Sequence, residues 1–125
     1  AKLVTSNLSE LEMLNLNGNR IGDAGAELLA RTANLSNLLG LQIGGNTIGP
    51  EGIGALARAS HLQSLRLLDL SHNPIGDDGA RALASSTAFP KLERLFLRDA
   101  SIGAQGARAL ATSPNLHPAI RRDWA

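Results

Sequence analysis

Two arginines and a phenylalanine alternate along a short segment of the chain, as Arg94, Phe96 and Arg98. If this segment is a strand, residues two apart point to the same face, so the three side chains lie together. Arginine and aromatic side chains are enriched among the residues that carry most of the binding energy in protein interfaces. This cluster therefore predicts a surface that binds a protein partner.

Residue types that serve catalysis or metal binding are missing or badly placed. The chain has no cysteine, which excludes a thiolate nucleophile, a zinc–thiolate site and a disulfide framework. The histidines, His61, His72 and His117, have no metal-ligand spacing. Ser71 and His72 are neighbours, so on a strand they would face opposite ways, and the glycine-rich stretch 44–49 lacks the Lys-Ser/Thr ending of a phosphate loop. We therefore expect no enzyme activity, no metal ion and no cofactor.

Composition and charge limit the class of partner. The chain has 125 residues, enough for one modest domain, of which 18% are charged and 43% are hydrophobic. A formal net charge of +1 gives no argument for binding to nucleic acid or to a membrane surface. The absence of cysteine and of a visible signal peptide favours the cytoplasm.

The candidate residues belong to a sequence repeat with a period of 27 residues. An Asn-x-Ile-Gly string begins at Asn19, Asn46 and Asn73, and the fourth copy begins at Ala100, where alanine replaces asparagine. Leucine or isoleucine precedes each of these positions by three residues, leucine precedes each by five and by eight, and glycine follows each by six. Leucine and alanine make up about a third of the chain and aromatic residues 2%, as expected of a core built from repeated aliphatic layers.

The periodicity changes within each repeat and predicts a strand followed by a helix. Apolar residues alternate in segments 14–16 and 68–70, as in a short strand, and have helical spacing in segment 26–30. A helix that returns to the next parallel strand makes a right-handed βα unit. We expect the glycine before each helix to be its N-cap, and Asp23 and Asp77 to complement the positive end of their own helices.

The pattern Leu-x-x-Leu-x-Leu-x-x-Asn-x-Ile-Gly, followed by Gly-Ala-x-x-Leu-Ala, resembles the ribonuclease-inhibitor-like class of leucine-rich repeat. The repeat length of 27 residues and the Ile-Gly-Asp-x-Gly-Ala motif are most similar to those of bacterial members of that class. The resemblance implies an α/β fold, a right-handed leucine-rich-repeat solenoid in the form of a horseshoe arc. It implies a parallel β-sheet on the concave face, helices on the convex face, and asparagine amides that bind the backbone of adjacent turns.

The four repeats span 8–34, 35–61, 62–88 and 89–115, and they are called repeats 1 to 4 below. We expect residues 1–7 to be the end of a preceding helix or an N-terminal cap, and residues 116–125 to be an irregular C-terminal tail or cap. Terminal repeats without caps expose apolar faces. We therefore expect the single leucine-rich-repeat domain, 1–125, to be part of a longer protein.

The outward-facing residues of the predicted strands form the candidate partner-binding site, because the leucines between them point into the core. The candidates are Met13, Asn15, Asn17, Gln42, Leu67, Asp69, Ser71, Arg94, Phe96 and Arg98. We expect a non-catalytic protein–protein interaction module that uses this concave sheet and the strand–turn rim. An acidic partner is favoured by the arginines towards the C-terminus, Arg94, Arg98, Arg121 and Arg122.

Two other functions stay open. Ribonuclease-inhibitor-like repeats resemble those of the Ran GTPase-activating protein, and Arg20 is an arginine at the rim position after the first asparagine, so a GTPase-activating or other regulatory role is one alternative. The other is a structural spacer that self-associates through uncapped ends.

The predicted binding face is small. The outward face of four strands at about 4.8 Å spacing has an area of roughly a few hundred Å², below the roughly 800 Å² per partner of a standard interface. A tight complex would therefore need surface beyond the outward face of these four strands.

Overall fold

The strands of the four repeats form one parallel sheet in the computed structural model, which describes residues 10–125. They are β1 (Met13–Asn15), β2 (Gly40–Gln42), β3 (Leu67–Asp69) and β4 (Arg94–Phe96), and each pairs with the next in chain order. The register follows the repeat, with Leu41 opposite Leu68 and Leu68 opposite Leu95. Equivalent residues therefore lie in rows across the sheet. The expectation for residues 1–7 lies outside the described residues.

A helix follows each strand and packs against the helix of the neighbouring repeat. The helices are α1 (Gly22–Arg31), α2 (Pro50–Ala57), α3 (Gly76–Ser85), α4 (Ala104–Thr112) and α5 (Pro118–Trp124), with a 3₁₀ turn at Ala33–Leu35. The predicted α/β solenoid, with a four-stranded parallel sheet alternating with helices, is confirmed.

The core lies behind the sheet, among the leucine and isoleucine rows and the helices. The central strand residues Leu41 and Leu68 are fully buried, and Leu95 nearly so. The residues that flank them point the other way because side chains alternate along a strand. This second surface, called the open face below, carries Met13, Asn15, Gly40, Gln42, Leu67, Asp69, Arg94 and Phe96.

The helices begin in two ways that alternate along the chain. Gly49 and Gly103 precede α2 and α4 in an extended conformation and are the N-caps, as predicted. Gly22 and Gly76 are instead the first residues of α1 and α3, with φ of +63° and +69°. This left-handed conformation costs glycine little because it has no Cβ. It turns the chain so that the aspartate that follows can reach the next repeat.

The aspartates after these two glycines bind the helix of the following repeat. The N–H groups of Gly49 and Gly52 donate to Asp23 Oδ1, at 2.8 and 3.1 Å. Asp77 makes the same two bonds from repeat 3 to repeat 4, at 2.7 and 3.1 Å. Asp23 and Asp77 were expected to complement their own helices, but each carboxylate also accepts the free N–H groups at the start of the next one. Repeats 1 and 3 are thereby each linked to the repeat after them.

Buried asparagine amides connect the loops that follow the strands. Asn46 Oδ1 accepts the N–H groups of Asn19 and Ile21 in repeat 1, at 2.8 and 3.3 Å. Its Nδ2 donates to Leu16 O at 2.9 Å. Asn73 makes the equivalent bonds to repeat 2, and both side chains are almost completely buried. Because buried backbone groups need partners, these amides hold each loop in register with the next.

The row of amides ends at Ala100, which is buried in the place of the asparagine. The Ile75 N–H, whose counterpart in repeat 2 donates to an asparagine, here donates to Asn73 O at 2.8 Å. The Gly76 N–H still donates to Ala100 O at 3.0 Å. Repeats 3 and 4 thus keep a backbone contact in this loop and replace the amide contact by a local bond.

An irregular C-terminal tail or cap was expected at 116–125, and this segment contains a regular helix, α5. Pro118 lies in the first turn of α5, where its missing N–H is no loss, and His117 Nδ1 accepts the Ala119 N–H at 3.0 Å. Ile120 is buried in the core, and α5 packs against α4. This helix covers the apolar end of repeat 4.

Replacing Asn46 by alanine should lower the free energy of unfolding by about 2–4 kcal/mol, because it leaves buried N–H groups of repeat 1 without acceptors. Asn19→Ala is the matched control: the Asn19 amide is exposed, and among residues 10–125 it binds only Leu16 O and Asn17 O of its own loop. We expect it to cost about 1 kcal/mol or less. Urea unfolding followed by circular dichroism measures both, and equal losses would contradict the framework role of Asn46.

Candidate functional site

An exposed phenylalanine with an arginine stacked on it lies on the last strand of the sheet. Phe96 is 40% exposed, and the guanidinium carbon of Arg94 is 5.5 Å from the centroid of its ring. At this distance the cation and the ring attract each other, which orients both side chains on the open face. Arg98, two residues after β4, is also exposed. The structure therefore brings together the cluster that the sequence singles out.

The other end of the open face is apolar. Met13 is 56% exposed, and its side chain lies over Gly40, where a Cβ would come within 2.4 Å of Met13 Cε. Leu67, the next residue in this row, is half-buried, and Arg94 completes the row. The predicted residues Met13 and Leu67 thus contribute apolar surface that continues up to the arginine.

The middle row of the open face is held by local hydrogen bonds. Asn15 Oδ1 accepts the Asn17 N–H, and Asp69 Oδ1 accepts the Ser71 N–H, each at 3.0 Å. Asn15 is exposed, whereas Gln42 and Asp69 are half-buried. These polar side chains are accessible, but two of them are already oriented by their own backbone.

The third row connects the repeats, and two of its predicted site residues accept hydrogen bonds from the next repeat. Ser71 was expected to face a partner, but it is only 8% exposed and its Oγ accepts the Arg98 N–H at 3.1 Å. Asn17 makes the equivalent contact from repeat 1, since its Oδ1 accepts the Gly44 N–H at 2.6 Å, although the residue itself is exposed. A polar side chain just after a strand is close enough to bind the next strand's backbone, so outward spacing alone does not make it available.

A groove of about 940 Å³ lies along the C-terminal ends of the strands. Its walls include Phe96, Arg98 and His72, and glycines 44 and 45 lie on its repeat 2 side. The predicted residues Asn17, Asp69 and Ser71 also line it, whereas Met13, Asn15, Gln42, Leu67 and Arg94 do not. The sequence prediction therefore contains part of the groove lining and also residues beyond it on the open face.

Asp123 and Trp124, at the end of α5, also line this groove, and neither was predicted from the sequence. Trp124 was expected to be part of an irregular tail. Two signals could have placed it: Pro118 marks a helix start, and Ile120 and Trp124 are four residues apart, so they share one helix face. The groove is thus formed by the sheet and by the helix that ends the chain.

The strand–turn rim beside the groove carries a contact between a histidine and a carboxylate. His72 Nδ1 lies 3.3 Å from Asp99 Oδ2, and both side chains are more than half exposed. Asp69 binds its own backbone, and Asp99 of the next repeat is the carboxylate that contacts His72. The pair joins the loops of repeats 3 and 4 on the surface.

A family model described as "Leucine Rich repeat" matches residues 8–30, 34–57 and 61–84, which is more than half of the chain. The chain belongs to the leucine-rich-repeat family. Repeat 4, in which Ala100 replaces the asparagine, lies outside the matched residues.

A solved structure supports the same leucine-rich-repeat architecture. The structure of "Leiomodin-1 Actin-Binding Site 2 (ABS2)" matches with a TM-score of 0.67 and 17% sequence identity, over 93% of this chain and 78% of that one. At this identity the similarity concerns the fold. A comparison with curated protein sequences finds no match.

Charge is unevenly distributed along this leucine-rich-repeat chain. Residues 94–125 contain five arginines and two aspartates and no lysine or glutamate. The ion pairs among residues 10–125 are Arg66–Glu93, His72–Asp99 and Arg81–Asp78, so neither Arg94 nor Arg98 is neutralised within that part of the chain. In the same range no group of three or more His, Asp or Glu could hold a metal ion, and no helix is long and apolar enough to cross a membrane.

Substitutions at Ser71 and Arg98 should separate framework residues from free ones. Ser71→Ala removes the acceptor of the Arg98 N–H and should lower the free energy of unfolding by about 1–2 kcal/mol. Arg98→Ala keeps that N–H and removes only an exposed side chain, so we expect a change within about 0.5 kcal/mol. Chemical denaturation of the two variants tests the distinction. An unchanged stability of Ser71→Ala would mean that Ser71 is available to a partner after all.

Proposed function

We propose that this chain is a non-catalytic protein–protein interaction module that binds its partner with the open face and the strand–turn rim. The observation that carries the proposal is the exposed cluster of Arg94, Phe96 and Arg98 beside a groove. The stacked pair presents a large aromatic surface and a fixed positive charge on a rigid strand. Such side chains are the usual energetic centres of protein interfaces.

The fold does not explain this cluster. Arg94 and Arg98 make no ion pair within residues 10–125, and Phe96 is one of two exposed large hydrophobic side chains in that range. The other is Met13, at the far end of the same face. Exposed apolar side chains on one surface, next to unpaired cations, support a role in binding.

The partner we propose is an acidic protein surface. Residues 94–125 include Arg94, Arg98 and, on α5, Arg121 and Arg122, and they contain five arginines against two aspartates. Complementary charge speeds association and selects partners, and it makes binding sensitive to salt. The similar leiomodin-1 structure is named for an actin-binding site. It supports the use of this architecture for binding a protein, without identifying the partner of this chain.

We also propose that the repeats are of the ribonuclease-inhibitor-like class and of bacterial origin, because they contain the Ile-Gly-Asp-x-Gly-Ala motif.

The two alternative functions, GTPase activation and self-association, have less support. Arg20 follows β1 and does not line the groove, so we do not extend the proposal to GTPase activation. Self-association through uncapped ends is disfavoured at repeat 4, because α5 covers it.

Reversing the charge of Arg94 and Arg98 should abolish partner binding. Peptides selected from a random 12-residue display library against the wild-type chain should be rich in Asp and Glu. They should bind the Arg94→Glu/Arg98→Glu variant at least about tenfold more weakly, a loss of about 1.4 kcal/mol. Fluorescence anisotropy measures the affinity at low and high salt.

The matched control is Arg108→Glu, which reverses an exposed charge on α4, behind the sheet. We expect this variant to bind the selected peptides as the wild type does. If the double variant keeps the wild-type affinity, the cluster is not the binding surface and the proposed function is wrong.

A further inference from the structure

The first strand of the sheet has one edge without a partner. Among residues 10–125, β1 pairs only with β2, so its other side ends the sheet. The leucines of repeat 1 show the effect: Leu14 and Leu16 are half-buried, whereas their equivalents Leu41 and Ile43 are completely buried. Apolar core surface is therefore accessible at this end of the solenoid.

The opposite end of the solenoid is closed by α5. This helix packs against α4 and contacts β4, and its Ile120 is buried in the core. Leu95 and Leu97 of repeat 4 are only 4% and 5% exposed, although β4 is also the last strand of the sheet. Within residues 10–125, the strand leucines are thus less well covered at the repeat 1 end.

Backbone groups of β1 point to the unpaired edge. In β2, the N–H of Gly40 points towards the preceding strand and donates to Glu12 O at 3.0 Å. Met13 has the position of Gly40 in β1, and Asn15, two residues further on, points to the same side. The N–H and C=O groups of Met13 and Asn15 therefore lie along the free edge, and such an edge is a template for another strand.

The spacing of these groups fits a second copy of the same strand in the antiparallel direction. With Leu14 on a two-fold axis normal to the sheet, Met13 of one copy lies opposite Asn15 of the other, and each such pair exchanges two hydrogen bonds. The two copies of Leu14 then form a pair without hydrogen bonds, with Cα atoms about 4.5 Å apart. This arrangement satisfies the free edge and covers half-buried leucine surface.

Charge also favours the antiparallel direction. Glu10 and Glu12 precede β1 and Arg20 follows it, and all three side chains are exposed. An antiparallel copy brings the acidic end of one strand towards the basic end of the other, whereas a parallel copy would place the acidic ends side by side. Opposite charges across two strands stabilise the pair, and like charges destabilise it.

We propose that the chain forms a two-fold symmetric dimer through the unpaired edge of β1. Because α5 closes the other end, the contact uses the same surface of both copies and assembly stops at two. The two four-stranded sheets then form one continuous surface, with both Met13 side chains at its centre.

The dimer changes the size of the open face. It doubles the roughly few hundred Å² of four strands, towards the roughly 800 Å² per partner of a standard interface. The inference goes beyond the proposed function, because it concerns the assembly that presents the open face and not the partner that binds there.

Sedimentation equilibrium of the 125-residue chain at increasing concentration tests the dimer. We expect a monomer–dimer equilibrium with a dissociation constant on the order of 10 to 100 µM, because the strand contact is small. We expect no species larger than a dimer.

Met13→Pro removes an N–H that faces the second copy and leaves the bonds between β1 and β2 in place. Proline is tolerated on an edge strand when its nitrogen faces solvent, so the melting temperature should stay within a few degrees of the wild type. We expect dimerisation to weaken at least about tenfold. The matched control is Met13→Ala, which keeps the N–H and removes only an exposed side chain, and its dissociation constant should stay within about threefold of the wild type.

Leu14→Cys tests the register of the two strands, because the chain has no other cysteine. The symmetric pair places the two introduced thiols at a Cα separation that a disulfide can bridge. Oxidation should therefore give a covalent dimer. Phe96→Cys, on the strand at the other end of the sheet, is the control and should stay largely monomeric under the same conditions.

Several results would overturn the inference. They are a chain that remains monomeric up to about 500 µM, assembly beyond two copies, wild-type dimerisation of Met13→Pro, and an equal loss in Met13→Ala, which would make the association a side-chain contact. If Met13→Pro does not fold, Leu14→Cys decides, and failure to cross-link more than Phe96→Cys contradicts the pairing. The loss of peptide binding in Arg94→Glu/Arg98→Glu tests the proposed function separately, whatever the oligomeric state.

Discussion

The carboxamides of Asn46 and Asn73 are the interaction on which the rest of the structure depends. Each amide accepts two backbone N–H groups of the preceding repeat and donates to one of its carbonyls, in a position almost closed to water. Without such a partner, a turn every 27 residues would leave buried backbone groups unsatisfied. The strands then lie in register because the loops that follow them are fixed to each other, and rows of side chains across the sheet are the result.

This framework decides which side chains are free to bind. Asp23 and Ser71 look like surface polar residues in the sequence, but both accept N–H groups of the next repeat. Arg94 and Phe96 contact each other on the open face, and the alignment of the strands does not require them. At repeat 4, an exposed aromatic ring lies beside arginines that make no ion pair within residues 10–125. The proposed interaction surface lies at that end for this reason.

The fold can be predicted from the sequence because the leucine spacing that determines it is local and recurs in every repeat. The leucine spacing places Leu41 and Leu68 in the core, and the period gives the strand register without further information. The hydrogen bond that Ser71 accepts could not be predicted in this way, because a bond to the next repeat depends on the separation of two strands and not on the pattern within one. Trp124 was missed because the repeat pattern ends before α5, and the groove needs the packing of that helix beside the sheet. Sequence patterns thus predict the framework better than the groove that the framework forms.

The most direct test of this framework is the free energy of unfolding of the Ala100→Asn variant, measured by urea titration. Ala100 is buried where the other repeats have the amide, and Ile75 donates to Asn73 O in its place. An asparagine here should accept the N–H groups of Asn73 and Ile75, as Asn73 accepts those of repeat 2. We predict a gain of about 1 kcal/mol. An unchanged or lower stability would contradict the claim that the amides couple the repeats.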